Sequence, residues 1–319
     1  MTRVLVTGMG GELGTRVAQL LETDRSVDVV VGTDFDPPRR RLHRVDFHRI
    51  DPRSEERLAA LVREVDPTVV VHLGVYEPDA RCSPAAAIEM SAACTRAVMR
   101  TAARSSSLDR IVVRSGIEVY GRRRGSPLRP DESVAPDPTS PFGRLLLDAE
   151  GAAATAGRRA DVPVTLLRFA PIVGPHFPSP LGRYLRLPVV TVAALADQPF
   201  SLVHQEDAAA AIVAAARRSV DGPVNVAGSG AVTPRQAARM GGRAIFPAVG
   251  PAWVGARWLS DLVGAPVPAH VTELLVRGRT TDSIGAVATL GVSAALATPE
   301  VVKDLYEWAS VTALREEAA

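Results

Sequence analysis

Val4-Leu5-Val6-Thr7-Gly8-Met9-Gly10-Gly11-Glu12-Leu13-Gly14 decides how the rest of this chain is read. The aliphatic run reads as a buried strand, the glycines as a turn, and Leu13 to Leu21 as a helix. In such a turn Gly8 permits the tight bend and Gly11 lets backbone approach a pyrophosphate. Gly14 lets helix and strand pack closely, and N–H groups at the helix start, from Leu13 onward, face the phosphates. A glycine string alone is weak evidence; its context carries it. The next strand, Val27 to Val31, is aliphatic apart from Asp28 and leads to Asp34, about 20 residues beyond Gly14. A carboxylate there accepts hydrogen bonds from ribose hydroxyls and repels a 2′-phosphate, which favours NAD over NADP. The run Arg39-Arg40-Arg41 argues the other way, because an arginine on a loop can reach a phosphate.

Working outward, strand and helix patterns keep alternating. A helix is expected from Ser54, placed as N-cap, to Val65, with Glu55 and Glu56 suiting its positive end. Strand Thr68 to Leu73, helix Pro84 to Ala103, strand Arg110 to Arg114, helix Phe142 to Gly157 and strand Val164 to Phe169 follow. Repeated βαβ units of this kind predict an α/β fold with a doubly wound parallel (Rossmann) sheet over residues 1–170. Beyond about Pro171 the pattern loosens into Pro- and Gly-rich stretches. Residues 171–319 are therefore expected to form a smaller, less regular C-terminal substrate lobe, with some segments returning to the Rossmann domain.

Composition narrows the chemistry. Of 37 basic residues in 319, Lys303 is the only lysine, and it lies in Val301-Val302-Lys303-Asp304, not in a Gly-Lys-Ser/Thr setting. Walker-type phosphate binding is excluded, and any lysine-dependent mechanism must use Lys303. A formal charge of +2 with 4% aromatics speaks against nucleic acid, since the Arg39–Arg41 and Arg122–Arg124 runs sit in loops with acids nearby. No apolar run is long enough for a bilayer span, and Thr2-Arg3 leads straight into the first strand without a leader pattern. Cys82 and Cys94 suggest no disulfide framework, so a reduced cytoplasm is expected. His176 and His204 lack metal-ligand spacing, and no metal site is expected.

Taken in order, these segments resemble the extended short-chain dehydrogenase/reductases, the NAD-dependent epimerase/dehydratase family typified by sugar-nucleotide epimerases. Thr7-Gly8-x-x-Gly11-x-x-Gly14 resembles the family's cofactor turn, and Val45-Asp46-Phe47 the segment whose acid contacts adenine. Val71-His72-Leu73-Gly74 is similar to its strand end near the nicotinamide half. Val112 to Gly121, ending Val119-Tyr120-Gly121, resembles its active-site strand. Leu167-Arg168 through Gly174-Pro175, Leu202 to Ala208, and Val224-Asn225-Val226-Ala227-Gly228 resemble later family segments. The resemblance implies an NAD cofactor held by Gly8, Gly11, Leu13, Gly14, Asp34, Asp46, Phe47, Leu73, Gly74 and Ser115. It also implies a nucleotide sugar or similar small substrate, and a homodimer built on the alanine-rich helices 84–103 and 142–157.

The same resemblance exposes a gap. In the family a tyrosine takes a proton from the substrate hydroxyl as hydride passes to NAD. A lysine four residues later lowers the phenol pKa, and a Ser or Thr bonds the reacting oxygen. Here those positions are Phe142, Leu146 and Gly116. Phe142, Leu146, Ala149 and Ala153 form one apolar stripe, and Arg144 lies about 200° round the helix from Phe142. Tyr120, with Arg124 four residues on, is the first substitute acid/base. Ser115 reads equally as a cofactor contact or a buried hydroxyl bonded to backbone, His72 as a satisfied strand-end hydrogen-bonder, and Tyr76 and Glu77 as nicotinamide-pocket lining or a solvated loop. The expectation is an NAD-binding, non-standard or regulatory member; the alternative is an active epimerase, dehydratase or reductase using a group such as Tyr120.

Overall fold

The computed structural model describes residues 1–51, 53–175, 177–249, 255, 260–262 and 264–307. Among them, seven parallel strands form the central sheet: β1 (Arg3–Thr7), β2 (Val29–Asp34), β3 (Val45–Arg49), β4 (Val69–His72), β5 (Arg110–Gly116), β6 (Val164–Phe169) and β10 (Gly222–Val226). Their order across the sheet is β3-β2-β1-β4-β5-β6-β10. The chain thus winds outward from β1 in both directions, and the strand order reverses at β1 and β4.

The period of two along each strand sorts the core. Val4, Val6, Val69, Val71, Val112 and Leu167 face one side, where α1 (Glu12–Glu22) and α6 (Gln205–Arg217) cover them. Leu5, Val31, Val70, Ile111, Val113 and Leu166 face the other, under α2 (Glu55–Val65), α3 (Pro84–Ala102) and α4 (Pro141–Ala160). Most caps follow rule: Ser83 and Ser140 accept from backbone N–H groups at the starts of α3 and α4, each with proline in the first turn. Ser54 stands at the N-cap of α2, yet its hydroxyl accepts no capping bond; its carbonyl takes the bond from Leu58 instead.

Residues beyond 171 serve both parts. α6 packs on α1, where Arg16 pairs with Glu206 at 2.6 Å, and β10 extends the sheet beside β6. The remainder forms a lobe at the carboxyl ends of the strands. It contains the two-stranded pairs β7 (Ile172–Val173) with β9 (Val203–His204), and β8 (Val189–Ala193) with β11 (Ala244–Ala248). Among its described helices are α5 (Pro180–Leu185), α7 (Pro234–Met240), α8 (Ala269–Arg277) and α10 (Thr298–Glu307). Their core gathers Leu181, Leu185, Val190, Phe200, Leu202, Val271, Leu274 and Val302. A further helix, α9 (Ile284–Leu290), lies against β10. No helix among the described residues is long and apolar enough to cross a membrane.

A buried polar chain fastens α4 to the sheet. Arg168 on β6 meets Glu150 on α4 twice, Nε to Oε1 at 2.9 Å and Nη2 to Oε2 at 2.7 Å. Ser115 Oγ donates to the same carboxylate at 2.6 Å, and Arg168 Nη1 donates to the Tyr120 hydroxyl at 3.0 Å. That hydroxyl donates onward to Asn225 Oδ1 at 2.8 Å. Arg168→Met would leave Glu150 buried without its counter-charge. Chemical denaturation is expected to show a loss of about 3–5 kcal/mol, much of it recovered in Arg168→Met/Glu150→Leu.

Candidate functional site

The glycine turn is fixed by contacts that leave no room for side chains. Gly8 has φ of 81°, and a Cβ there would lie 2.7 Å from the Gly74 nitrogen. A Cβ on Gly14 would lie 2.1 Å from the Gly8 carbonyl oxygen, so α1 can sit this close to β1 only with glycine. Gly11 differs: a Cβ there meets only the Gly8 oxygen, at an ordinary 3.6 Å. The protein itself does not demand glycine at that point, and the room is left on the ligand side. Gly11 is also the N-cap of α1 and offers no side-chain acceptor to the helix's first N–H groups.

Asp34 ends β2 at this edge. Its carboxylate accepts from Gly10 N–H at 2.9 Å and Phe35 N–H at 2.6 Å. Burial raises its pKa, and those N–H groups oppose the rise. Gly8, Gly11, Leu13, Gly14, Asp34, Leu73 and Gly74 all line one cleft of about 230 Å³, together with Tyr76, Glu77 and Arg114. At its rim Arg39 faces Asp36 at 3.6 Å. The donors and the open space suit a dinucleotide pyrophosphate with its ribose at Asp34.

Three residues anticipated for this cleft lie elsewhere. Asp46 and Phe47 pair opposite Val31 and Gly32, short of the carboxyl edge, with Asp46 exposed and Phe47 packed on the core. The strand register therefore brings Asp51 to that end of β3; its carboxylate is gripped by Arg53, which also holds its pKa low. Ser115 turns to Glu150 and lines the neighbouring pocket, not the cleft.

His72 is wholly buried between two hydroxyls, Nδ1 at 2.7 Å from Thr7 Oγ1 and Nε2 at 2.9 Å from Thr95 Oγ1. Burial lowers its pKa to about 4, so it stays neutral and serves as a brace between β1, β4 and α3. Cys94 packs behind Gly74, and burial pushes its thiol pKa up, away from thiolate chemistry. Tyr120 lines neither the cleft nor the pocket beside it; its hydroxyl is spent between Arg168 and Asn225, and burial raises its pKa. The geometry gives it no reacting group to reach. Lys303 is exposed on α10, paired with Glu307 at 3.4 Å. His204 caps α6 and faces Asp304 at 3.3 Å, while His176 lies outside the described residues.

The pocket beyond the cleft shares Glu77 and Arg114 with it and holds a void of about 30 Å³. Gly116, Phe142 and Leu146 form its floor. A Cβ on Gly116 would meet Glu118 Oε2 at 2.3 Å and Leu146 Cδ1 at 3.1 Å, so those side chains occupy the space a larger residue would need. Over Phe142 lies His270 from α8, ring centroids 4.7 Å apart, its Nε2 3.1 Å from Glu77 Oε1. Buried Arg279 pairs with Glu118 at 3.3 Å and with Glu273. Sequence patterns pointed to Glu77 and to the Gly116–Phe142–Leu146 floor but not to His270 or Arg279, whose segments carry no local motif.

A pyrophosphate-ready glycine turn on a doubly wound sheet, opening beside a second pocket, defines a nucleotide-dependent α/β protein. The model of the NAD dependent epimerase/dehydratase family matches residues 4–227, and the chain belongs to that family. It is 31% identical to the uncharacterized protein Rv0501 of Mycobacterium tuberculosis over 97% of this chain and 84% of that one. Its fold is similar to UDP-glucose 4-epimerase of Thermotoga maritima, solved with UDP-glucose, at TM-score 0.74 and 19% identity, covering 96% and 98% of the two chains. It is also similar to MoeE5 in complex with UDP-glucose and NAD, at TM-score 0.72 and 25% identity over 96% and 98%.

Neutral His72 has a consequence for acid stability. Its folded pKa, about 4, lies below the ordinary value of 6.5, so the unfolded chain binds the extra proton first as pH falls. Stability present above pH 6.5 is lost progressively toward pH 4, on the order of 3 kcal/mol from this residue. Denaturation midpoints measured across that window should fall less steeply in His72→Gln than in the unsubstituted chain.

Proposed function

We propose that this chain binds NAD in the cleft lined by Gly8, Gly11, Gly14 and Asp34, and is a non-standard family member in which Tyr–Lys proton transfer does not operate. The observation that carries this reading is the filled floor of the adjoining pocket. Phe142 brings no transferable proton, Leu146 brings no charge or donor, and Glu118 with Leu146 takes up the room at Gly116. Replacing one residue would not restore the usual centre, since Gly116, Phe142 and Leu146 each lack the group it needs.

Binding rests on groups that remain in register: free N–H groups at the start of α1, the open side of Gly11, and the Asp34 carboxylate. Asp34 supports NAD over NADP through repulsion of a 2′-phosphate, although Arg39 at the rim tempers it. A nucleotide sugar is the substrate class suggested by the structural relatives that hold UDP-glucose. We place the protein in the cytoplasm as a homodimer, with the outer faces of α3 and α4 meeting their copies; the alanines along both helices permit close approach.

Calorimetric titration of the whole chain should show NAD⁺ binding, with NADP⁺ at least tenfold weaker. Asp34→Asn should weaken NAD⁺ by tenfold or more and narrow the gap to NADP⁺, because it removes the charge that repels the 2′-phosphate and replaces one of the two acceptor oxygens for ribose by a donor. No NAD⁺ or NADH binding by the unsubstituted protein would sink this assignment.

A further inference from the structure

The pocket that lacks the family's usual centre is not inert filler. Glu77 from the loop after β4, Arg114 at the end of β5, Glu118 from the turn Ile117–Tyr120, Glu273 and His270 from α8, and Arg279 just after α8 all converge on or immediately behind it. Half-buried Arg122 and exposed Arg277 lie on the outer side of Glu273. Apolar side chains of the same volume would close such a space at no desolvation cost, so a set of buried charges here calls for a reason. With Nε2 turned to Glu77, the hydrogen of the ring points at that carboxylate and Nδ1 is the acceptor. Arg114 holds positive charge at the wall shared by cleft and pocket and donates to the Val75 carbonyl at 3.0 Å.

We propose that Glu77 and His270 form a replacement proton-transfer centre, His270 as the catalytic acid/base and Glu77 as its positioning residue, for interconversion of a secondary alcohol and its ketone. The proposal rests on the NAD reading of the cleft. In the oxidising direction the hydroxyl proton of the substrate passes to His270 Nδ1. The hydrogen on the same carbon leaves with its electron pair as hydride to NAD⁺, and the C–O single bond becomes a carbonyl. Reduction runs the same steps backward, with NADH giving hydride and the imidazolium returning the proton. The void of about 30 Å³ admits a compact reacting carbon and oxygen, with any larger part of the substrate outside it.

The activity-independent test is the pH dependence of cofactor affinity in the full chain. Oxidised nicotinamide is cationic and reduced nicotinamide is neutral, so a proton on His270 penalises NAD⁺ alone. Calorimetry with NAD⁺ and NADH across about pH 5 to 8 should show the ratio of their dissociation constants, NAD⁺ over NADH, rising as pH falls, by up to tenfold per pH unit. Asp34 meets the ribose common to both forms and drops out of the ratio, and His72 titrates below this window. His270→Gln should make the ratio flat. Glu77→Gln, which keeps the hydrogen bond but loses the charge, should move the rise to lower pH. A flat ratio in the unsubstituted protein, or an unchanged rise in His270→Gln, overturns the role of the pair while leaving the cleft assignment intact. Failure of both cofactors to bind overturns the cleft assignment and this proposal with it.

Discussion

The buried contact between Glu150 and Arg168 fixes how α4 sits on the central sheet. Glu150 lies four residues after Leu146 and eight after Phe142, so all three share one face of α4. Pinning Glu150 to β6 with two charge-assisted bonds fixes how that helix is turned about its axis. The rotation then dictates that Phe142 and Leu146, and not Arg144 or Asp148, form the floor beside Gly116. The same guanidinium supports the Tyr120 hydroxyl, which braces Asn225 on β10. One ion pair thus ties together α4, β5, β6 and the last strand of the sheet.

The two halves of the site obey different constraints. At the cofactor end, backbone does the work: N–H groups, tight turns and the absence of Cβ atoms. Such a surface tolerates large changes in surrounding side chains. At the other end side chains do the work, and there the protein has placed Glu77, His270, Glu118 and Arg279 around an aromatic ring. Cofactor geometry and reaction chemistry can therefore diverge independently on one scaffold.

Much of this was readable in the sequence because its signals are local. Glycine spacing and aliphatic runs act over a few residues, and β6 falls on Val164–Phe169 as its pattern predicts. β3 escaped because it is a half-exposed edge strand whose residues alternate without an aliphatic run, and its register leaves Asp46 short of the carboxyl edge. Tyr120 looked available because spacing cannot reveal Arg168 and Asn225, far along the chain, closing on its hydroxyl. His270 was invisible for the same reason: it reaches Glu77 across 193 positions of sequence. Long-range partners decide whether a polar side chain is a tool or a brace.

The late arrival of α6 and β10 in the chain sets a condition on how the protein emerges from the ribosome. Six parallel strands can assemble from the first half, but the face of α1 that α6 covers, and the edge of β6 that β10 pairs with, stay bare until residues 205–226 are made. During that interval an apolar layer and an unpaired strand edge are both open to solvent and to other nascent chains. The sheet is completed by its most distant sequence neighbour, which makes closure slow relative to local helix formation. An unfinished chain ending near Phe169 would hold the whole glycine turn and Asp34, yet lack the cover that keeps it from aggregating.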